Sequence, residues 1–376
     1  MRRRTILLGL AGVAALAACE RAAPPRPTPS AAASGGGSAH APAGTPASGS
    51  ANASPGAPVR VAVIATGLDV PWSLAFLPNG DALVSERDTG KILRAPARGG
   101  TSVEVMRVPD VATDTAEGGL LGLAVSPAYG TDGLVYAYYT TRTDNRIVRF
   151  RLGGTVQPIL TGLRRGTIHN GGRIAFGPDG KLYAGVGETG VKSLAQQRTA
   201  LNGKILRINP DGSVPAGNPF PGSPVWSYGH RNVQGLAWDS SGRLWATEFG
   251  QNRFDEVNLI QPGHNYGWPE VEGVGDTRGG TYTTPLITWT PDEASPSGAA
   301  IIGTMLYVGA LRGEALLRVR LDGTRATIAP PLFHGVYGRI RAVAAAPNGR
   351  LWITTSNRDG RGDPRPGDDR ILALTV

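Results

Sequence analysis

Ala175-Phe176-Gly177-Pro178-Asp179-Gly180-Lys181-Leu182-Tyr183 carries the pattern that decides the fold: an apolar pair, a turn of Gly, Pro, Asp and Gly, then a renewed apolar run. Asp-Gly or Asn-Gly between two strand-like runs signals a hairpin, because such turns need positive φ. The pattern returns as Ala75-Phe76-Leu77-Pro78-Asn79-Gly80, as Trp238-Asp239-Ser240-Ser241-Gly242 and as Ala346-Pro347-Asn348-Gly349. A looser copy, Val125-Ser126-Pro127, precedes Gly133-Leu134-Val135-Tyr136. Successive turns lie roughly 50 to 60 residues apart, the period of four-stranded propeller blades. Between Ser240 and Pro347 the interval doubles, so a degenerate blade is expected there, over Ile301 to Leu321. The expectation is an all-β, six-bladed β-propeller of four-stranded antiparallel blades over residues 59–376. A sandwich or a parallel β-helix does not give this period. Helical pattern is confined to a turn or two over Ser193 to Leu201. At one end of a propeller the loops converge on the central channel, so residues distant in sequence meet there.

Outside that region the chain reads differently. Met1-Arg2-Arg3-Arg4, an apolar run from Ile6 to Ala18 and the small residues before Cys19 give the plan of a secretory leader over 1–18, not of a membrane span. Cys19 is the only cysteine, and Leu16-Ala17-Ala18-Cys19 is similar to a bacterial lipobox, so Cys19 is expected to be acylated. The adjacent arginines are a weak signal for twin-arginine export. Residues 19–58 are almost wholly Ala, Pro, Gly, Ser and Thr, a composition that buries too little apolar surface to offset chain entropy and reads as a tether. The expected location is therefore the outer face of the cell membrane, held by the lipid alone.

The net charge is +9. Loss of the three leader arginines leaves about +6. Lysine occurs only at 91, 181, 192 and 204, and the arginines form no basic helix or aromatic-interleaved patch, which argues against a nucleic-acid partner. His230, His264 and His334 lack metal-ligand spacing, and no serine-hydrolase elbow or phosphate loop stands in strand-to-helix context.

Chemistry-bearing residues concentrate between Tyr228 and Trp268: an Arg231-Asn232 pair in a Gly-flanked turn, a carboxylate-bearing loop around Phe249-Gly250-Gln251, and a Gly-aromatic turn. His169, in Thr167-Ile168-His169-Asn170-Gly171-Gly172-Arg173, stands at the entrance to a blade, where imidazole suits general-base work. From the residues alone it reads equally well as a hydrogen-bonded loop histidine. Arg339 and Arg341 in Gly338-Arg339-Ile340-Arg341 project to one face of an extended segment, and their forks suit carboxylates. Trp72, Trp226, Trp238, Trp245 and Trp352 read as blade core, with Trp72 and Trp268 near the channel.

The order of these segments, together with Glu117-Gly118-Gly119-Leu120-Leu121-Gly122, Ser295-Pro296-Ser297-Gly298 and Gly203-Lys204-Ile205-Leu206-Arg207, resembles the soluble quinoprotein glucose dehydrogenase and aldose sugar dehydrogenase family over residues 59–376. That resemblance implies two cofactors, pyrroloquinoline quinone (PQQ) and calcium, and oxidation of an aldose at C1. It makes His169 the base and places Arg231 by the reactive quinone carbonyl. Asn232, Arg339, Arg341 and Arg312, the last where the family commonly has lysine, join it around the quinone. It implies a catalytic calcium on the carbonyls of Gly250 and Gln251, and a structural one on Glu256 and Tyr266. Glu117 and His169 would face the sugar. The chain departs from the glucose enzyme at Ile168, where an acid precedes the base, and at Ser356 or Asn357, where the last blade has a cofactor-contacting aspartate. It also lacks that enzyme's long insertion, which places it nearer the aldose sugar dehydrogenase branch. The electron acceptor is not identified by the sequence. Two other readings are a metal-dependent propeller lactonase, which needs carboxylates and asparagines around an open calcium, and a non-catalytic propeller that binds at the cell surface.

Overall fold

The computed structural model describes residues 59–376; the expected leader, tether and Cys19 lie outside the described residues. Within them, six four-stranded antiparallel sheets form the blades of a propeller. The first strands of the blades are Pro71–Phe76, Leu120–Val125, Ile174–Phe176, Val233–Trp238, Pro296–Ile302 and Ile340–Ala345. Each of these touches the next around the axis and the last touches the first, which closes the ring.

The repeated turns do what the sequence asks of them. Gly80, Gly180, Gly242 and Gly349 all have positive φ and each donates its N–H three residues back, to Leu77, Gly177, Asp239 and Ala346, at 2.9 Å. Pairing resumes at Phe76 with Ala82, Phe176 with Leu182, Trp238 with Leu244 and Ala345 with Leu351, so the turns are five-residue connections. The second blade replaces the turn with a short helix, Tyr129–Asp132. The fifth blade is complete: Pro296–Ile302, Met305–Ala310, Ala315–Asp322 and Arg325–Leu332 include two of the longest strands in the propeller. Its sequence signature is missing because Ile302 pairs directly with Met305 around Gly303-Thr304, a turn too short to hold the repeated motif. The expected helical stretch reduces to a 3-10 turn, Lys192–Ala195.

Blades pack face to face, so their central strands are buried on both sides and read as unbroken apolar or small-residue runs, as in Leu182–Val186 and Leu351–Thr355. One hydrophobic cluster lies between each adjacent pair of blades. Trp72, Trp245 and Trp352 are buried as expected, whereas Trp226 and Trp238 are half-buried near Tyr183.

The last blade is built from both ends of the described region. Arg60–Ala65 supplies its fourth strand by pairing with Ile371–Thr375, Arg60 opposite Thr375 and Val61 opposite Leu374. This pairing covers an edge that would otherwise be open and ties the ring shut. Trp352 lies in the cluster that joins this blade to the first. Replacing it with alanine is expected to cost ~3–5 kcal/mol, seen as a lowered urea midpoint; an unchanged midpoint contradicts its role in closure.

Candidate active site

Each first strand is reached through a loop at one end of the channel, and these loops carry the polar residues. Glu117 precedes Leu120–Val125, His169 precedes Ile174–Phe176, Arg231 and Asn232 precede Val233–Trp238, and Arg339 precedes Ile340–Ala345. Loops that follow the second strands arrive at the same end with Glu188, Phe249, Arg312 and the segment from Ser356 to Arg361. Glu117, His169, Phe249, Ser295, Leu311, Arg312, Arg339 and Arg361 enclose a cavity of about 420 Å³, within the ~300–1,000 Å³ of small-molecule sites.

His169 has φ 54, a left-handed conformation that costs a non-glycine residue ~1–3 kcal/mol. Its surroundings hold it there. The Glu117 Oε2 carboxylate oxygen accepts its N–H at 2.8 Å, and its carbonyl accepts the Thr189 N–H at 3.2 Å. Gly187 must be glycine, since a Cβ at that position would collide with the His169 carbonyl. The ring Nδ1 lies 2.6 Å from Oε1 of Glu188, whose side chain is 1% exposed and whose Oε2 has no partner. A buried carboxylate at that distance places the proton on Nδ1, which leaves Nε2 as the basic atom.

The Arg231 amide donates to a carboxylate oxygen of Glu248, which fixes the turn. Its guanidinium donates from Nη1 to the Phe249 carbonyl at 3.2 Å and lies 5.4 Å above the Trp268 ring, while Nε is buried without a partner. Burial pulls Arg231 below the ordinary arginine value against the field of Glu188 and Glu248. The Asn232 Oδ1 accepts the Gly171 N–H at 3.0 Å, and its Nδ2 is likewise buried and unpartnered. Two orphaned buried donors in adjacent residues call for an acceptor that the chain does not supply.

Arg339 donates to Asp359 Oδ2 from Nε at 3.0 Å and Nη2 at 2.9 Å, and Arg341 reaches the same oxygen at 3.2 Å. Arg341 also donates to Ser356 Oγ at 3.0 Å and to Gln234 Oε1 at 3.3 Å. Deeper, Arg173 donates to the Gln234 carbonyl and Ser73 Oγ and stacks 4.3 Å over Trp72. Burial pushes Arg173 down to about 9, with Arg341 adding to the effect, and Arg341 itself down to about 10. Among the described residues Arg173 has no carboxylate partner, and Arg339 and Arg341 share one oxygen of Asp359, so these buried guanidiniums are short of counter-charge that an anionic ligand could supply.

The remaining expected positions fall in several places. Asn357 spends its side chain on the chain itself: Oδ1 accepts the Arg339 N–H, and Nδ2 donates to the Tyr337 carbonyl and Asp368. Arg312 is on the rim in an exposed pair with Asp292 at 2.9 Å. The amide of Gly250 donates to Asp255 and that of Gln251 to Glu272, whose Oε1 also accepts from Asn252, Arg253 and Phe254. The carbonyls of Gly250 and Gln251 accept no backbone hydrogen bond among the described residues. Glu256 accepts from Asn258 Nδ2 and the Gly273 N–H, and burial, helped by nearby Glu248, pushes it up to about 8. The Asn258 Oδ1 beside it is buried without a donor. Tyr266 stacks on His230 and donates its hydroxyl to Leu259. Among the described residues no group of three or more His, Cys, Asp or Glu side chains is arranged for a metal.

Sequence reasoning missed Glu188, Asp359 and Arg361. Glu188 follows a strand within Gly187-Glu188-Thr189-Gly190, at the same end as His169, and its position in the repeat was the available signal. Asp359 stands on the same loop as Ser356 and Asn357, within contact of both Arg339 and Arg341.

The sequence matches the family described as glucose / sorbosone dehydrogenase over residues 68–364. Aldose sugar dehydrogenase YliI of Escherichia coli (strain K12) is 30% identical over 347 residues, covering 81% of this chain and 92% of that protein. Quinoprotein glucose dehydrogenase B of Acinetobacter calcoaceticus is 36% identical over 259 residues, covering 58% of this chain and 54% of that protein. The solved PQQ-bound form of an aldose sugar dehydrogenase from Streptomyces coelicolor is 53% identical, with a TM-score of 0.80 over 85% of this chain and 99% of that one.

Burial alone would raise Asp359, but Arg341 and Arg339 take it below the ordinary carboxylate value. Its contribution to stability is therefore complete above that ordinary value and is lost as pH falls through the lowered one. Asp359→Asn strands two buried cations and is expected to cost ~3–5 kcal/mol near neutrality, while flattening the acid limb of stability. Urea unfolding of both proteins across acid pH reads this; equal stability at neutral pH contradicts it.

Proposed function

Because the chain belongs to the glucose / sorbosone dehydrogenase family, we propose that it oxidises an aldose at C1 to the lactone, with PQQ and calcium as cofactors. The observation that carries this reading is the meeting, around one cavity, of a histidine fixed by two carboxylates and buried cations short of counter-charge. The PQQ-bound relative from Streptomyces coelicolor supports the choice of anion.

An aldose C1 hydroxyl presented to His169 loses its proton to Nε2, while Nδ1 stays bonded to Glu188. The buried Glu188 charge stabilises the imidazolium that forms. PQQ, when bound, supplies a two-electron acceptor for the C1 hydride. Arg231, Asn232, Arg339 and Arg341 are the residues to hold that tricarboxylate, with Ser356 setting Arg341 and Arg312 at the rim. Arg231 adds a partly desolvated positive charge where negative charge develops. On the side of this chain, sugar oxidation would end with the hydroxyl proton on His169 Nε2 and the lactone free to leave the cavity.

Calcium suits two places. The unengaged carbonyls of Gly250 and Gln251 offer hard oxygen ligands to a catalytic ion. Glu256, the orphaned Asn258 Oδ1 and the Tyr266 carbonyl suit a structural one, where a cation would offset the crowding of Glu256 by Glu248. With Ile168 where an acid precedes the base in the glucose enzyme, the substrate is an aldose without a built-in preference for glucose. The expected leader and acylated Cys19 support an extracytoplasmic activity held by a lipid anchor.

The protein supplied with PQQ and calcium is expected to reduce an artificial dye in the presence of one or more aldoses. His169→Gln should still take up PQQ yet turn over ~10²–10⁴-fold more slowly. Parental turnover in that variant would sink the assignment of the base.

A further inference from the structure

Glu117 and Arg361 stand 244 residues apart and meet at the cavity rim, Arg361 Nη1 donating to Glu117 Oε1 at 2.9 Å. Both line the same cavity as His169. The two oxygens of Glu117 are divided: Oε1 takes the guanidinium, and Oε2 takes the N–H of His169 at 2.8 Å. The Glu117 amide in turn donates to the Thr167 carbonyl at 3.1 Å, so the loops are joined in both directions. On the far side, the Arg361 amide donates to Oδ1 of Asp359 at 3.0 Å, the carboxylate whose other oxygen holds Arg339 and Arg341. A continuous polar chain thus runs from the paired arginines through Asp359, Arg361 and Glu117 to the backbone of His169.

We infer that Arg361 is a positioning residue for the base, acting through Glu117, and that Glu117 serves to hold His169 before it serves any sugar. The inference rests on the assignment of His169 as the base of a sugar dehydrogenase. The physical reason lies in the conformation of His169. Its left-handed backbone, φ 54, persists because its surroundings over-determine it, and the bond from its N–H to Glu117 is one of the contacts that do so. The acceptor is a carboxylate that burial would drive toward protonation, yet the His169 amide and Arg361 keep it below the ordinary value. Without Arg361 the Glu117 carboxylate has no cation at this distance, turns toward solvent and releases the amide. The imidazole, tied to Glu188 at Nδ1, then shifts as the backbone relaxes, and Nε2 leaves its place in the cavity. A base displaced by about 1 Å loses up to ~10²-fold in rate.

Three variants separate this role from others. Arg361→Gln is expected to lower kcat by about 10- to 100-fold with the sugar KM little changed, and Arg361→Lys to recover part of the loss by restoring charge without the fork. In the protein free of PQQ and metal, hydrogen exchange of the His169 amide should quicken in Arg361→Gln, while the His230 amide, bonded to the Gly203 carbonyl, keeps its rate. Glu117→Gln keeps an acceptor for the amide but loses the charge, and combining it with Arg361→Gln should cost no more than Arg361→Gln alone. A raised KM with unchanged kcat and unchanged amide exchange makes Arg361 a sugar contact and overturns the proposal, as does a variant indistinguishable from the parent in all three readouts. Faster exchange in a protein that oxidises no sugar upholds the positioning and removes the functional reading instead.

Discussion

The Asp359 carboxylate accepts Arg339 and Arg341 on one oxygen and the Arg361 amide on the other. Few contacts in the molecule join so much. It is the one acid shared by two buried guanidiniums, and it lies on the loop that follows the second strand of the last blade. Arg60–Ala65, from the other end of the described region, completes that blade as its outermost strand. The register that brings Asp359 to its arginines is set within the blade, by the pairing of Ile340–Ala345 with Leu351–Thr355.

The charge balance explains why the site has the form it does. A protein that kept its buried arginines only for stability would pair each with an acid, because an unpaired buried charge is costly. Here the pairing is left incomplete, and the unsatisfied Arg231 Nε and Asn232 Nδ2 lie in the turn that leads into the fourth blade. Such donors are strained without a ligand and satisfied with one that presents several carboxylates. The proposed base is held in the opposite way: Glu188 engages its ring and Glu117 its backbone, so His169 is fixed by the chain itself. One half of the site waits for an anion while the other is already set.

Much of this was legible in the sequence, for a physical reason. Turns that require glycine at positive φ cannot vary freely, so the repeats at Gly80, Gly180, Gly242 and Gly349 announced the blades. The fifth blade escaped the count as a regular member because its hairpin closes around Gly303-Thr304, where no Pro-Asp-Gly motif fits. Arg339 and Arg341 were visible because they alternate on an extended segment at the mouth of a strand, whereas His169 and Arg231 took their roles from the family resemblance. Glu188, Asp359 and Arg361 were not visible, since an acid or an arginine in a surface-like loop looks the same whether it faces solvent or a histidine. Glu188 and Asp359 act through contacts between the loops of their own blades, and Arg361 through a contact with a residue 244 positions away. Asn357 shows the reverse: its place in the pattern suggested a ligand contact, and its bonds show a bracket for the loop backbone.

The most direct test of the cationic mouth is a titration of the PQQ-free protein with PQQ in the presence of calcium, followed by the quinone absorbance at low and high salt. Saturable uptake of one PQQ per chain, weakened as salt screens the partly open mouth and followed by bleaching of the quinone on addition of an aldose, is the expected result. Absence of saturable uptake at either salt concentration would contradict the assignment of the buried arginines to an anionic quinone.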